Sequence, residues 1–344
     1  MKKIWGSISG WTWIIGLLAC TALPGFVDAA DSAAPAPVTA VFLTDGQGWM
    51  VDFGKALSAA LAEENITLRV AAPALPLPES QSEKLRELNG EDVSVLLVWP
   101  ANPVEPKKTF DGATLSKPVI LLGTDAPASG RKAAVTIAPE ALGQKFAELI
   151  RQCVPDGLLI GMLARKQDAA GMDTLRKTLE EGLKEGEITL RQIAEDGGDP
   201  GAARENAREL LEKHPELAGY VGMEPYHLTA LAAAATDAKR NGYVGLVGMG
   251  WPETLGEPLE KGFINGVVFP NPQELASVLV PMIRAAASGD GSYAWPESGK
   301  VAMPLATRFV PKPYGVTEMI HGLPGNWNIK LPEGKPEPSP GKFD

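Results

Sequence analysis

The chain has 344 residues, 44% of them hydrophobic and 22% charged, which is material for one or two globular lobes with cores of their own. A formal net charge of −10 and an isoelectric point of about 5.0 exclude a nucleic-acid partner, whose phosphates call for clustered Lys and Arg.

The amino terminus reads as a secretory signal over residues 1–29. Lys2 and Lys3 supply the positive start, Trp11 to Leu23 the apolar run, and Val27, Asp28 and Ala29 a small-x-small cleavage site before Ala30. An uncleaved anchor is the plainer alternative, but the run falls short of the ~20 apolar residues that span a bilayer. Leu17, Leu18, Ala19 and Cys20 also resemble a lipobox, with Cys20 as a minor acylation site. Cleavage at Ala29 leaves Cys153 as the one cysteine, so no internal disulfide is expected. Cys153 sits beside an apolar helix and reads as a buried thiol.

After a Pro- and Ala-rich tether, Val38–Leu43 is the first strand. The loop Thr44 to Trp49 follows, then a helix from about Met50 to Glu64 with Phe53, Leu57 and Leu61 on one face. Ile66–Val70 is a strand, Gln81–Leu88 a helix, Val93–Val98 a strand ending at Trp99, and Val119–Leu122 a strand ending in GTDAP. Ala134–Ile137 is an extended crossing segment, followed by a helix from Pro139 to Gln152. A second set begins at strand Leu158–Leu163. It continues with helix Met172–Glu185, strand Thr189–Ala194, helix Pro200–His214, strand Tyr220–Gly222 and an alanine-rich helix from Tyr226 to Asn241. The stretch LVGMGWPETLGEPLEKGFINGVVFPNP then gives strand, loop, helix and strand, with Pro270 and Pro272 turning a corner. A helix from Gln273 to Ala287 and an extended segment Val301–Val310 complete the pattern, and residues 324–344 read as a flexible tail.

Strands alternating with helices over two sets predict an α/β protein of two doubly wound parallel-sheet lobes. No G-x-G-x-x-G or P-loop lysine follows a first strand, so no nucleotide cofactor is expected. His214, His227 and His321 lack metal-ligand spacing, and there is no G-x-S-x-G elbow, so neither a metal site nor catalysis is expected.

Four segments in this order carry a family resemblance: FLTDGQGWMVDFGKALSAAL, LLGTDAP with TIAPEALGQKFAEL, DPGAARENARELLEKHPELAGYVG, and LVGMGWPETLGEPLEKGFINGVVFPNPQELA. From Val38 to Val310 the chain resembles the type I periplasmic solute-binding proteins of the ribose-binding kind. The resemblance implies lobes of residues 38–136 plus 271–300 and 137–270 plus 301–323, joined by a three-strand hinge near Thr136–Ala138, Phe269–Asn271 and Val301–Pro304. It implies a monomer that traps a small molecule between the lobes and meets an inner-membrane transporter. QDAAGMDTLRKTLEEGL and LLEKHPEL are also similar to the TorT-like branch, whose partner is a sensor histidine kinase, which leaves ligand sensing as an alternative.

Carried position by position onto this chain, the family's ligand residues fall at Gln47 and Trp49, Trp99, Asp125, Arg176 (beside Leu175), Glu224 with Tyr226, Trp251 and Phe269. Seven of them also have a plainer reading. Trp99 and Phe269 end apolar strands and read as core, Trp49 and Trp251 as caps on a sheet, and Glu224 as a helix N-terminal acid. Asp125 reads as a turn residue, and Arg176 as a solvated helix residue. Aromatics, Met and Gly replace most of the family's sugar-gripping polar groups, so the expectation is a comparatively apolar ligand: lipid, sterol-like or aromatic. Ordinary sugar binding for an ABC transporter is the other alternative.

Overall fold

The computed structural model describes residues 38–102, 105–112, 114–165 and 171–313. The signal segment, Cys20, His321 and the tail 324–344 lie outside the described residues.

The first sheet is built from β1 (Val38–Leu43), β2 (Ile66–Ala71), β3 (Val95–Val98), β4 (Val119–Gly123) and β5 (Ala133–Thr136), with α1 (Gly48–Ala62) and α2 (Pro78–Asn89) between its early strands. The second half carries α3 (Pro139–Cys153), β6 (Leu159–Ala164), α4 (Met172–Leu183), β7 (Thr189–Glu195), α5 (Pro200–Lys213) and β8 (Leu217–Gly222). It continues through α6 (Pro225–Asp237), β9 (Gly245–Met249), α7 (Pro252–Glu260) and β10 (Gly266–Pro270) to α8 (Pro272–Ser288), β11 (Lys300–Ala302) and β12 (Leu305–Phe309).

Strand order is β11-β5-β4-β3-β1-β2 in one sheet and β12-β10-β9-β8-β6-β7 in the other. Apart from the last strand of each, the two orders are the same winding used twice. Each turns back at its first strand, between β1 and β3 and between β6 and β8. Ladders are parallel except β10 with β12, which is antiparallel. This is the expected pair of doubly wound lobes, with one antiparallel edge added.

Helices cover both faces of each sheet, so the central strands are apolar throughout; β3 and β8 are buried along their whole length. Phe53, Leu57 and Leu61 of α1 have no exposure and pack on the first sheet. Local chemistry sets several helix starts. Pro139 opens α3 where its missing N–H costs nothing. Asp199 caps α5 by accepting from Gly201 N, and Asn271 caps α8 by accepting from Gln273 N and Glu274 N. The alanine-rich helix α6 stops at Asp237, short of the expected Asn241, because Lys239 takes a left-handed turn at φ 56°. Cys153 is buried on α3, and burial pushes its thiol pKa up to about 11, so it is unreactive at neutral pH.

The chain passes between the sheets three times. After β5 it enters α3, which packs on α4 and β9; after β10 it returns through α8, which packs on α1 and β1. The third passage corrects the expected single extended segment Val301–Val310. It breaks at Met303 and Pro304, with β11 in the first sheet and β12 in the second. Proline ends one ladder because it has no N–H to donate. Backbone bonds lace the passages together: Met303 N donates to Thr136 O at 2.8 Å and Asn271 N to Pro304 O at 2.9 Å.

Candidate functional site

In open α/β sheets the ligand crevice lies beyond the carboxyl ends of the strands, where the winding reverses. In the first lobe the loops there are Thr44 to Gln47 after β1 and Trp99 after β3. In the second they begin at Arg165 after β6 and Met223 after β8.

Buried Gln81 of α2 ties the first pair of loops. Its Nε2 donates to the carbonyls of Thr44 and Trp99, both at 2.7 Å, and its Oε1 accepts from Ala101 N at 2.8 Å and Thr109 Oγ1 at 2.7 Å. Every hydrogen-bonding atom of the amide is used in a dry setting, so the loop ends are held by more than packing. Asp45, 6% exposed, projects from the same loop and accepts the Gln47 N–H at 2.8 Å.

The second pair is tied by Asp196 and His227. His227 has no exposure; its Nε2 lies 2.6 Å from Asp196 Oδ2, while its Nδ1 accepts the Glu224 N–H at 3.1 Å. Because Nδ1 is an acceptor, the ring proton sits on Nε2 and is donated to the carboxylate. Burial works to raise the Asp196 pKa, but the His227 and Gly198 hydrogen bonds outweigh it and hold it below the usual carboxylate value. This clamp fixes the start of α6 and with it Glu224, which pairs with Arg165 Nε at 3.2 Å.

The lobes meet over these loops. Asp45 of the first lobe feels both Glu224 and Arg165 of the second. Its pKa is pushed up to about 7, first by burial and then by the charge on Glu224, against the pull of the Gln47 N–H and of Arg165. Trp251, from the loop after β9, joins the first lobe's core. Its ring lies 5.7 Å from Phe53 of α1 and 5.5 Å from Phe269. Trp49 and Trp99 meet edge to face at 5.8 Å, and Phe53 touches both. The tryptophans are only 5–9% exposed. The indole Nε1 atoms of Trp49 and Trp251 are buried without a hydrogen-bond partner. A buried N–H left unpaired costs about 1–3 kcal/mol, so these two donors, one from each lobe, are suited to acceptors supplied by a ligand.

Gly123 at the end of β4 makes room for this cluster. It adopts φ 82°, and a Cβ there would fall 2.5 Å from the Trp99 ring. Gly123→Ala is expected to destabilise by about 1–3 kcal/mol through left-handed strain and overpacking. Urea denaturation checks this, and an unchanged midpoint would mean that Trp99 is not wedged against the strand.

The structure brings together Trp49, Trp99, Trp251 and Phe269 as one aromatic cluster. It sets Glu224 on the charged side, where Tyr226 is electrostatically coupled to Glu224, Arg165 and Asp196. Gln47 is the residue preceding α1, on the Asp45 loop. Two expected positions have protein partners of their own. Arg176 is a surface residue of α4, 3.7 Å from Asp173 and 3.5 Å from Glu180 on the same helix, while neighbouring Leu175 is buried under α3. Asp125 is occupied by Arg131, whose Nη2 donates to its Oδ2 at 2.9 Å, and by Lys300 at 3.3 Å. Burial works against its ionisation, but these cations hold the carboxyl below its usual pKa. Asp45, Gln81, Arg165, Asp196 and His227 were not singled out as site residues from the sequence. Among the described residues no group of three His, Cys, Asp or Glu side chains is arranged to hold a metal ion.

The family model described as "Periplasmic binding protein domain" matches residues 39–291. No curated protein matches the chain. Solved structures share its fold. GanP, a glucose-galactose binding protein from Geobacillus stearothermophilus, superposes with a TM-score of 0.60 at 19% identity, covering 80% of this chain and 98% of GanP. AraP, an arabinose binding protein from the same organism, gives 0.63 at 14% identity, covering 83% and 99%. A periplasmic ribose ABC transporter from Conexibacter woesei gives 0.60 at 14% identity, covering 85% and 96%.

These relatives overturn the expected lipid, sterol-like or aromatic ligand. The solutes named for them are sugars. The rings that suggested a greasy cleft are taken up by one another, and Asp45, Arg165 and Glu224 stand at the winding reversals instead. The family is one of extracytoplasmic proteins that bind solutes rather than transform them. By sequence match and by architecture, this chain belongs to the periplasmic binding protein domain family and has the type I fold of two doubly wound α/β lobes.

Proposed function

We propose that the protein captures a small sugar between its lobes and delivers it to an ABC transporter in the inner membrane. The observation that carries this reading is the pair of unpartnered indole N–H groups, Trp49 from one lobe and Trp251 from the other, together with the charged groups Asp45, Arg165 and Glu224 at the winding reversals. Sugars need such a mixture. Ring hydroxyls donate to carboxylates and accept from N–H groups, while the apolar ring face rests on aromatic carbon. The sugar-binding functions named for GanP and AraP support the same choice.

In this reading the lobes shut about the three passages near residues 137, 271 and 303, and closure removes the ligand from water. Residues 1–29 act as the export leader that takes the chain to the periplasm.

Isothermal calorimetry with arabinose, ribose, glucose and galactose is the test. At least one should bind with a Kd below about 100 µM, a binding free energy beyond roughly −5 kcal/mol. Absence of binding by every neutral and amino monosaccharide would remove the proposal.

A further inference from the structure

Carboxylates crowd the place where the lobes meet. Asp45 enters from the first lobe and Glu224 from the second. Among the described residues, the cation that acts on Asp45 is Arg165, and it is already bonded to Glu224. Asp196 is already taken by His227 Nε2 and the Gly198 N–H. Asp45 therefore has a carboxylate with one backbone N–H, 94% withdrawn from solvent, and no ion pair of its own among the described residues. A buried acid in this state is strongly disfavoured as an anion unless a cation arrives. The unpartnered Trp49 and Trp251 donors ask for the opposite, neutral or negative oxygen.

A neutral sugar satisfies the indoles but leaves Asp45 with hydroxyl donors alone. A sugar with a protonated amino group satisfies both demands in one molecule. We propose that the solute is a cationic amino sugar, its ammonium group seated on Asp45 and its hydroxyl oxygens accepting from the Trp49 and Trp251 indoles. This rests on the sugar-binding reading and narrows it to a chemical class.

The experiment is calorimetry on the full-length mature protein at pH 7. D-glucosamine, D-galactosamine and D-mannosamine are compared with glucose, galactose and mannose, and with the N-acetylated forms, which keep the shape and lose the charge. An amino sugar should bind at least tenfold tighter than both its neutral parent and its N-acetyl form. Asp45→Asn should bring that amino sugar down to its parent's affinity. The N-acetyl arm needs no variant, so a misfolded Asp45→Asn protein would not rescue the idea. If a neutral sugar binds as tightly as its amine, the cationic class is wrong and the sugar-binding reading stands. If no sugar of either kind binds, both fall.

Discussion

His227→Leu should lower the protein's stability by about 3–5 kcal/mol, because it strands the buried Asp196 carboxylate without its partner. The imidazole has no solvent exposure and fills two roles at once. It donates to Asp196 at 2.6 Å and accepts from Glu224 N at 3.1 Å. Leucine fills the space yet leaves the Asp196 carboxylate 6% exposed with its Gly198 N–H as the remaining short bond. It also leaves the Glu224 N–H without its acceptor at the start of α6. Adding Asp196→Asn to His227→Leu should recover part of the loss, because the stranded charge is then gone. Urea denaturation of the single and double variants checks this. A single-variant cost below about 1 kcal/mol, or no recovery in the double variant, would show that the pair does not hold this end of the lobe.

Asp45 should make the protein progressively less stable as pH rises from about 4 to about 7. Its pKa moves from an ordinary carboxylate value of 3.8 to about 7 in the folded protein. The unfolded chain therefore releases this proton first, and over that interval the folded state binds more protons. Stability from this group is fully present below pH 3.8 and is lost as pH climbs to 7. A shift of this size corresponds to roughly 4 kcal/mol. Glu224 and Arg165, the charges that face Asp45 across the gap, act in opposite directions, so the remainder is set by burial. Asp45→Asn should flatten this part of the profile and be more stable than the parent at pH 8. Urea midpoints for both proteins at pH 5 and pH 8 give the answer. Parallel profiles would place Asp45 in contact with water and the lobes further apart.

Much of the fold could be read from periodicity, because both sheets are buried on two faces and their strands are unbroken apolar runs. The strand ends that carry Trp99 and Phe269, and the loop that carries Trp251, follow from the same pattern. The resemblance placed the third passage near Val301–Pro304, and its one local signal is Pro304, which cannot continue a ladder.

The polar half of the site was hidden for a different reason. Gln81 is 37 residues from Thr44, and Asp196 is 31 residues from His227. Such clamps are made by the winding, and no local spacing announces them. Arg165 did leave a signal. It follows β6 as Thr44 and Asp45 follow β1, so the repeated strand order marks it once the two halves are overlaid. Arg176 was favoured instead because a family arginine falls near Leu175, and the helix turns that position outward.

Calorimetric titration of the parent and Trp251→Phe with the tightest-binding monosaccharide tests the central claim most directly, because phenylalanine keeps an aromatic ring and removes the orphan N–H. The parent should bind, and the variant should bind about 3–10-fold more weakly, the worth of one hydrogen bond of roughly 0.5–1.5 kcal/mol. Equal affinities for the two proteins would mean that the sugar is held somewhere other than between these lobes.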